Sequence, residues 1–97
     1  MTMYRKHRAD NNQDAIVQAF EKFGCAVQRI GRPLDLLVSV PGVTWLVDCK
    51  AKNGKLTPAQ QKFCAKWLGT WSIVRDMNGV QMVVRKMRQR QVDERNR

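Results

Sequence analysis

Three observations predict a small α/β domain with a mixed β-sheet flanked by helices, in the order α-β-β-β-α-β-α. Apolar residues recur at helical spacing in three segments. Between them lie four short strand-like runs, CAVQRI, LDLLVSV, TWLVDCK and WSIVR. Breaks at Gly31-Arg32-Pro33, Pro41-Gly42 and Asn53-Gly54 punctuate these segments. At 97 residues the chain is one domain with room for a single small core, and none for two lobes about a cleft.

The elements follow in order. Ile16, Ala19, Phe20 and Phe23 fall at i, i+3, i+4 and i+7, which places a helix at 11–23. Asp10, Asn11 or Asn12 can cap it and Gly24 can end it. Residues 25–30 form a short strand. Residues 34–40 and 44–50 form two more, and the short Pro41-Gly42 connection makes them an antiparallel hairpin. Thr57-Pro58-Ala59-Gln60 is a helix start, with Thr as N-cap, Pro at the first helical position and Gln three after the cap. Phe63, Trp67 and Ala59 supply that helix's apolar stripe, and Gly69 ends it. Residues 71–75 form the fourth strand. Met77, Val80, Val83, Val84 and Met87 place the last helix at 78–90. The folded core is thus 10–90, between a basic N-terminal arm (1–9) and a basic C-terminal tail (91–97) expected to fray. Trp45, Trp67 and Trp71 read as core residues rather than base-stacking platforms.

Charge points to the partner. Eighteen Lys and Arg face eight Asp and Glu, a net +10. Residues 1–9 contribute Arg5, Lys6 and Arg8 with no acid, and residues 85–97 hold six basic residues against two acids. Two basic ends on a nearly balanced body suit a polyanion whose phosphates they contact. The alternatives are plain solvation of the ends, or an anionic lipid surface, which the few bulky apolar residues of the C-terminal segment disfavour. No apolar run has the length of a membrane span, and MTMYRKHRAD carries no apolar signal region. Cys25, Cys49 and Cys64 form no CxxC pair, and zinc would also need His7 from the basic arm. They read as small reduced hydrophobes, and the expected location is the cytoplasm.

Strand alternation gathers the candidate chemistry. In TWLVDCK, Asp48 and Lys50 share a face with Thr44 and Leu46, opposite Trp45, Val47 and Cys49. In LDLLVSV, Asp35 faces away from Leu34, Leu36, Val38 and Val40. Antiparallel pairing then brings Asp35, Asp48 and Lys50 to one edge of the sheet. Two carboxylates suit a hard cation such as Mg²⁺, which acidifies a water able to attack phosphorus. A lysine beside them can orient that water or offset charge developing on the phosphate. A structural Asp–Lys ion pair at a strand end is the other reading of the same residues.

Pro33-Leu34-Asp35, then twelve residues, then Asp48-Cys49-Lys50, resembles the PD-(D/E)XK nuclease pattern, with one residue between the Pro and the Asp. A helix bearing Asn12-Gln13, then GCAVQRI-GRPLDLLVSV, WLVDCK and KLTPAQQKFCAKWLG, resembles the virus-type replication-repair nuclease (VRR-NUC) branch. The stretch from helix to DCK is also similar to the archaeal Holliday-junction resolvases. The resemblance spans roughly residues 10–75 and implies a restriction-endonuclease-like core. It implies that Asp35 and Asp48 bind Mg²⁺ or Mn²⁺ together with the backbone carbonyl of Cys49, and that Lys50 is the catalytic lysine. Asp48 stands where relatives usually have Glu, one methylene longer. Gln13 stands where many relatives carry a helix-borne Glu, and a neutral oxygen binds metal less well than a carboxylate. A helix N-terminal hydrogen bond is the other reading of Gln13. Gln60 matches a glutamine near the family's site, and it is equally the partner of Thr57 in a capping box. The resemblance implies DNA as partner, branched or structure-specific DNA as substrate, and a homodimer as the working form. Lys52 and Lys55, which follow the motif, can touch phosphate or remain surface lysines. A DNA-binding module with a degenerate site, and a structural protein whose basic ends bind RNA or an acidic protein, are the rival readings.

Overall fold

The computed structural model describes residues 3–96. Its elements are α1 (Met3–Lys22), β1 (Ala26–Arg29), β2 (Leu36–Val40), β3 (Val43–Cys49), α2 (Pro58–Lys66), β4 (Trp71–Val74) and α3 (Met77–Arg95), the predicted order. The four strands form one mixed sheet in the order β1-β2-β3-β4. The first two pairings are antiparallel, and β3 and β4 are parallel. The parallel pair requires a crossover, and α2 supplies it.

Helices cover both faces of the sheet. On one face, Ile16, Val17, Ala19 and Phe20 of α1 and Val80, Val83, Val84 and Met87 of α3 close over Leu36, Val38, Val40, Val47 and Val74. On the other, α2 sets Cys64 against Leu34 and Leu46, with Leu37, Phe63 and Trp71 packed around them. Alternation along β3 is as the sequence predicts: Leu46 faces α2, while Val47, Trp45 and Cys49 face the larger core.

The helix boundaries differ from expectation. The first helix begins at Met3 instead of 11, so the expected N-terminal arm is helical from Met3 onward; its first two residues lie outside the described part, as do the side chains of residues 3–11, including His7. No Gly or Pro interrupts the chain before Gly24, so nothing in the sequence breaks a helix there. Gly24, at φ +87, closes α1 in a Schellman turn: its amide bonds the Glu21 carbonyl at 2.9 Å and that of Cys25 bonds the Phe20 carbonyl at 3.0 Å. Arg88 of α3 seals the same end by donating to the Phe23 carbonyl at 2.8 Å. Val17 is buried where Phe23 was expected, and Phe23 is 41% exposed, because the helix has already ended.

Two further ends move. Residues 91–95, expected to fray, continue α3, helped by contacts one turn apart from Gln89 to Asp93 (3.1 Å) and Arg90 to Glu94 (3.6 Å). Asp76 caps α3 by accepting from the Gly79 amide at 3.0 Å, so Met77 opens the helix and is exposed. The second helix ends at Lys66, before Gly69; its buried contact is Cys64, whereas Ala59 and Trp67 are exposed. Trp45 and Trp71 pack as core, but Trp67 is 44% exposed. No helix among the described residues is long and apolar enough to cross a membrane.

Candidate metal centre

The hairpin register pairs Leu36 with Val47, so Asp35 and Asp48 meet just beyond the paired strands. Asp35 precedes β2 rather than lying in it. Its carbonyl is taken by the amides of Ile30 (2.9 Å) and Gly31 (3.2 Å), which bends the chain before pairing with β1 begins at Leu36. The predicted alternation therefore breaks here: Leu34 turns to the α2 side while Leu36, Val38 and Val40 face the larger core. The Asp35 carboxylate accepts from the Cys49 amide at 2.7 Å, a tie across the hairpin end.

Asp48 is fully buried, with 0% exposure. Gln60 Nε2 donates to its Oδ1 at 3.1 Å, and Lys50 Nζ lies 2.9 Å from its Oδ2. That second contact is an ion pair without hydrogen-bond alignment, so Oδ2 remains buried with no hydrogen-bond partner. The Lys50 ammonium supplies the counter-charge to this buried oxygen, and its lone pairs without a hydrogen bond leave room for a further cation.

Gln60 completes the capping box and also lies against Asp48 and Lys50. It is the third residue after the cap: its amide bonds Thr57 Oγ1 at 3.1 Å, and its Oε1 accepts from the Thr57 amide at 3.0 Å. The same Oε1 accepts from Lys50 Nζ at 3.1 Å, and Nε2 also donates to the Pro33 carbonyl at 3.3 Å. One side chain thus joins the α2 N-terminus, the Pro33 turn, Asp48 and Lys50.

Gln13 is drawn elsewhere. Its Oε1 accepts from Arg29 Nη1 at 2.7 Å, while Arg29 Nη2 reaches Asp14 at 2.6 Å. Gln13 therefore belongs to an exposed α1–β1 link, and among the described hydrogen bonds none joins it to Asp35, Asp48 or Lys50. Arg29 escapes sequence reading because its partners lie fifteen and sixteen positions away. Arg75 escapes for the same reason. It sits just after β4 and donates through Nη1 to the carbonyls of Ala51 (2.8 Å), Gly54 (2.7 Å) and Lys52 (3.2 Å). It thereby ties down the loop that follows Lys50. Lys52 and Lys55 are exposed on that loop.

Burial and the neighbouring carboxylate set the protonation of Asp35. Burial pushes Asp35 from its ordinary 3.8 up to about 6; the Cys49 amide opposes this, the Asp48 charge adds to it, and Lys50 offsets a little. Burial and both carboxylates push the Cys49 thiol up to about 12, so it stays protonated. The Cys49 side chain packs on the larger core, which leaves its backbone, not its sulfur, toward the acids. No group of three or more His, Cys, Asp and Glu side chains gathers in metal-binding geometry among the described residues. A hard divalent cation does not need one. Mg²⁺ is usually held by about one or two carboxylates and keeps several waters. The orphaned Asp48 oxygen beside a second carboxylate fits such an ion.

The Asp35 shift has a consequence for stability. Asp35 holds its proton more tightly in the fold than in the unfolded chain. Its effect is therefore neutral below 3.8, grows unfavourable as pH rises from 3.8 to about 6, and is fully unfavourable above that. In EDTA, thermal unfolding between about pH 4 and 7 is expected to show stability falling across this window, and Asp35→Asn is expected to flatten the fall. An unchanged slope in Asp35→Asn would assign the titration to another group.

A buried acid, a lysine and a glutamine thus meet at the end of the two inner strands of a mixed sheet. A solved structure described as a "VRR_NUC domain" superposes with a TM-score of 0.68 and 26% sequence identity, covering 79% of this chain and 94% of that chain. The chain has the VRR-NUC nuclease-like fold. No family model matches it, and no curated protein does.

Proposed function

We propose that this chain is a nuclease that hydrolyses DNA phosphodiester bonds with the help of Mg²⁺ or Mn²⁺. The observation that carries the reading is Asp48 Oδ2, a fully buried carboxylate oxygen without a hydrogen bond, adjoining Asp35 and Lys50. A fold needing only an ion pair gains little by burying a carboxylate so incompletely satisfied.

Asp35, Asp48 and the Cys49 backbone carbonyl would hold the cation. When bound, it supplies a Lewis acid that lowers the pKa of water and stabilises charge on the phosphate. Gln60 keeps Asp48 oriented through Oδ1 and steadies the Lys50 ammonium through Oε1. Lys50 places a positive charge and three donors where the attacking water and the phosphate oxygens meet. The net +10 holds the DNA backbone, so affinity falls steeply with salt. Branched or otherwise structure-specific DNA is the substrate, and a homodimer offering two sites to two-fold DNA is the working form.

One observation favours a second reading. Gln13 is neutral and engaged by Arg29, which leaves the centre with two carboxylates; a DNA-binding domain with a non-cutting site would look the same. The test is cleavage of labelled linear, nicked and four-way-junction DNA with Mg²⁺, Mn²⁺ or EDTA, together with Asp35→Ala. Cutting should require metal and be lost in Asp35→Ala while binding persists. Binding without cutting under every metal condition would replace the nuclease with the binding domain.

A further inference from the structure

A cleft of about 660 Å³ opens between the turn at Gly31-Arg32-Pro33 and the first turns of α2. Pro33, Ala59 and Phe63 give it apolar walls, Arg32 stands at the turn, and Gln60 is shared with the Asp48 centre. Phe63 stacks on Trp67 with ring centroids 5.0 Å apart, so its ring is braced. The space lies in the range of about 300–1,000 Å³ typical of small-ligand pockets. A nucleotide outside a duplex presents an apolar, flat base and an anionic phosphate. Aromatic and apolar walls receive the first, and an exposed guanidinium receives the second.

We infer that this cleft receives a single unpaired nucleotide of the DNA next to the scissile phosphate at the Asp35–Asp48–Lys50 centre, with the base against Phe63 and Pro33 and a flanking phosphate on Arg32. The inference rests on the proposed nuclease reading for its ligand, and deepens it: the substrate class becomes DNA with an unpaired nucleotide beside the scissile bond. The continuity is specific. Gln60 Nε2 bonds both the Pro33 carbonyl in the cleft wall and Asp48 Oδ1, so an occupant lies one side chain away from the acids.

The test measures binding in EDTA, using duplexes that carry 2-aminopurine either fully paired or as a one-nucleotide overhang. The overhang should bind about tenfold more tightly, with a change in 2-aminopurine emission as the base stacks. Arg32→Ala and Phe63→Leu should each pull the ratio of the two affinities toward one. Leucine at 63 keeps the α2 contact filled, and Arg32 is exposed, so both variants should fold. Equal binding of the two duplexes, or a preference that survives both variants, would overturn the assignment. Cleavage with Mg²⁺ or Mn²⁺ is read separately: a preference for the overhang without any cutting supports the cleft and removes the nuclease reading.

Discussion

Lys50→Ala is expected to lower DNA cutting by roughly 10²–10⁴-fold while leaving DNA affinity almost unchanged. The ammonium lies 2.9 Å from Asp48 Oδ2, and it is steadied by Gln60 at 3.1 Å. Affinity comes from the basic surface as a whole, so one partly buried lysine contributes little to it. The alanine variant also leaves Asp48 buried without its counter-charge, and breaking such a pair costs about 3–5 kcal/mol. That is a large share of the stability of about 5–15 kcal/mol usual for a domain. Lys50→Arg therefore carries the decisive measurement. It retains the positive charge that Asp48 needs, but a planar fork replaces a compact ammonium. Circular dichroism should show Lys50→Arg folded, and gel cleavage should show it severely impaired. Undiminished cutting in a folded Lys50→Arg would remove the lysine from the chemistry and leave it a partner of Asp48 alone.

What the sequence shows well is whatever is local or periodic. The pairing of Asp35 with Asp48 was legible because a two-residue turn fixes the hairpin register and alternation fixes the faces of β3. The capping box at Thr57 was legible because both members lie three residues apart. Asp76 was equally legible as a cap before Met77, but apolar spacing alone placed that helix one residue late. The position of Leu34 was not legible. A pattern of period two cannot show that the chain bends at Asp35, since the bend depends on Ile30 and Gly31 donating to the Asp35 carbonyl. The resemblance sets Gln13 near the acids, but it carries no information about Arg29 from another element, which draws Gln13 aside. Arg75 and its three carbonyls belong to the same class, because the partners lie more than twenty positions away.

Gln60 separates a structural account of the centre from a chemical one, because its two roles respond differently to substitution. Gln60→Ala removes the cap bond to Thr57, worth about 0.5–2 kcal/mol. It also strips Asp48 Oδ1 of its donor, and leaving a buried acceptor unpaired costs about 1–3 kcal/mol. Together these should lower the thermal midpoint by roughly 6–40 °C, given about 4–8 °C per kcal/mol for a domain of this size. Gln60→Glu is the sharper variant. Thr-x-x-Glu is itself a capping box, so the helix start is preserved. At Asp48, however, a donor becomes a second carboxylate 3.1 Å from a buried one. If Gln60 served only the cap, Gln60→Glu would match the wild type in stability. If it joins the cap to a cation site, Gln60→Glu should melt well below wild type in EDTA near neutral pH. Mg²⁺ or Mn²⁺ should then raise its midpoint more than it raises that of the wild type, since a third carboxylate strengthens the binding of a hard cation. Equal shifts with metal in the two proteins would confine Gln60 to the helix start and weaken the case for a cation at Asp48.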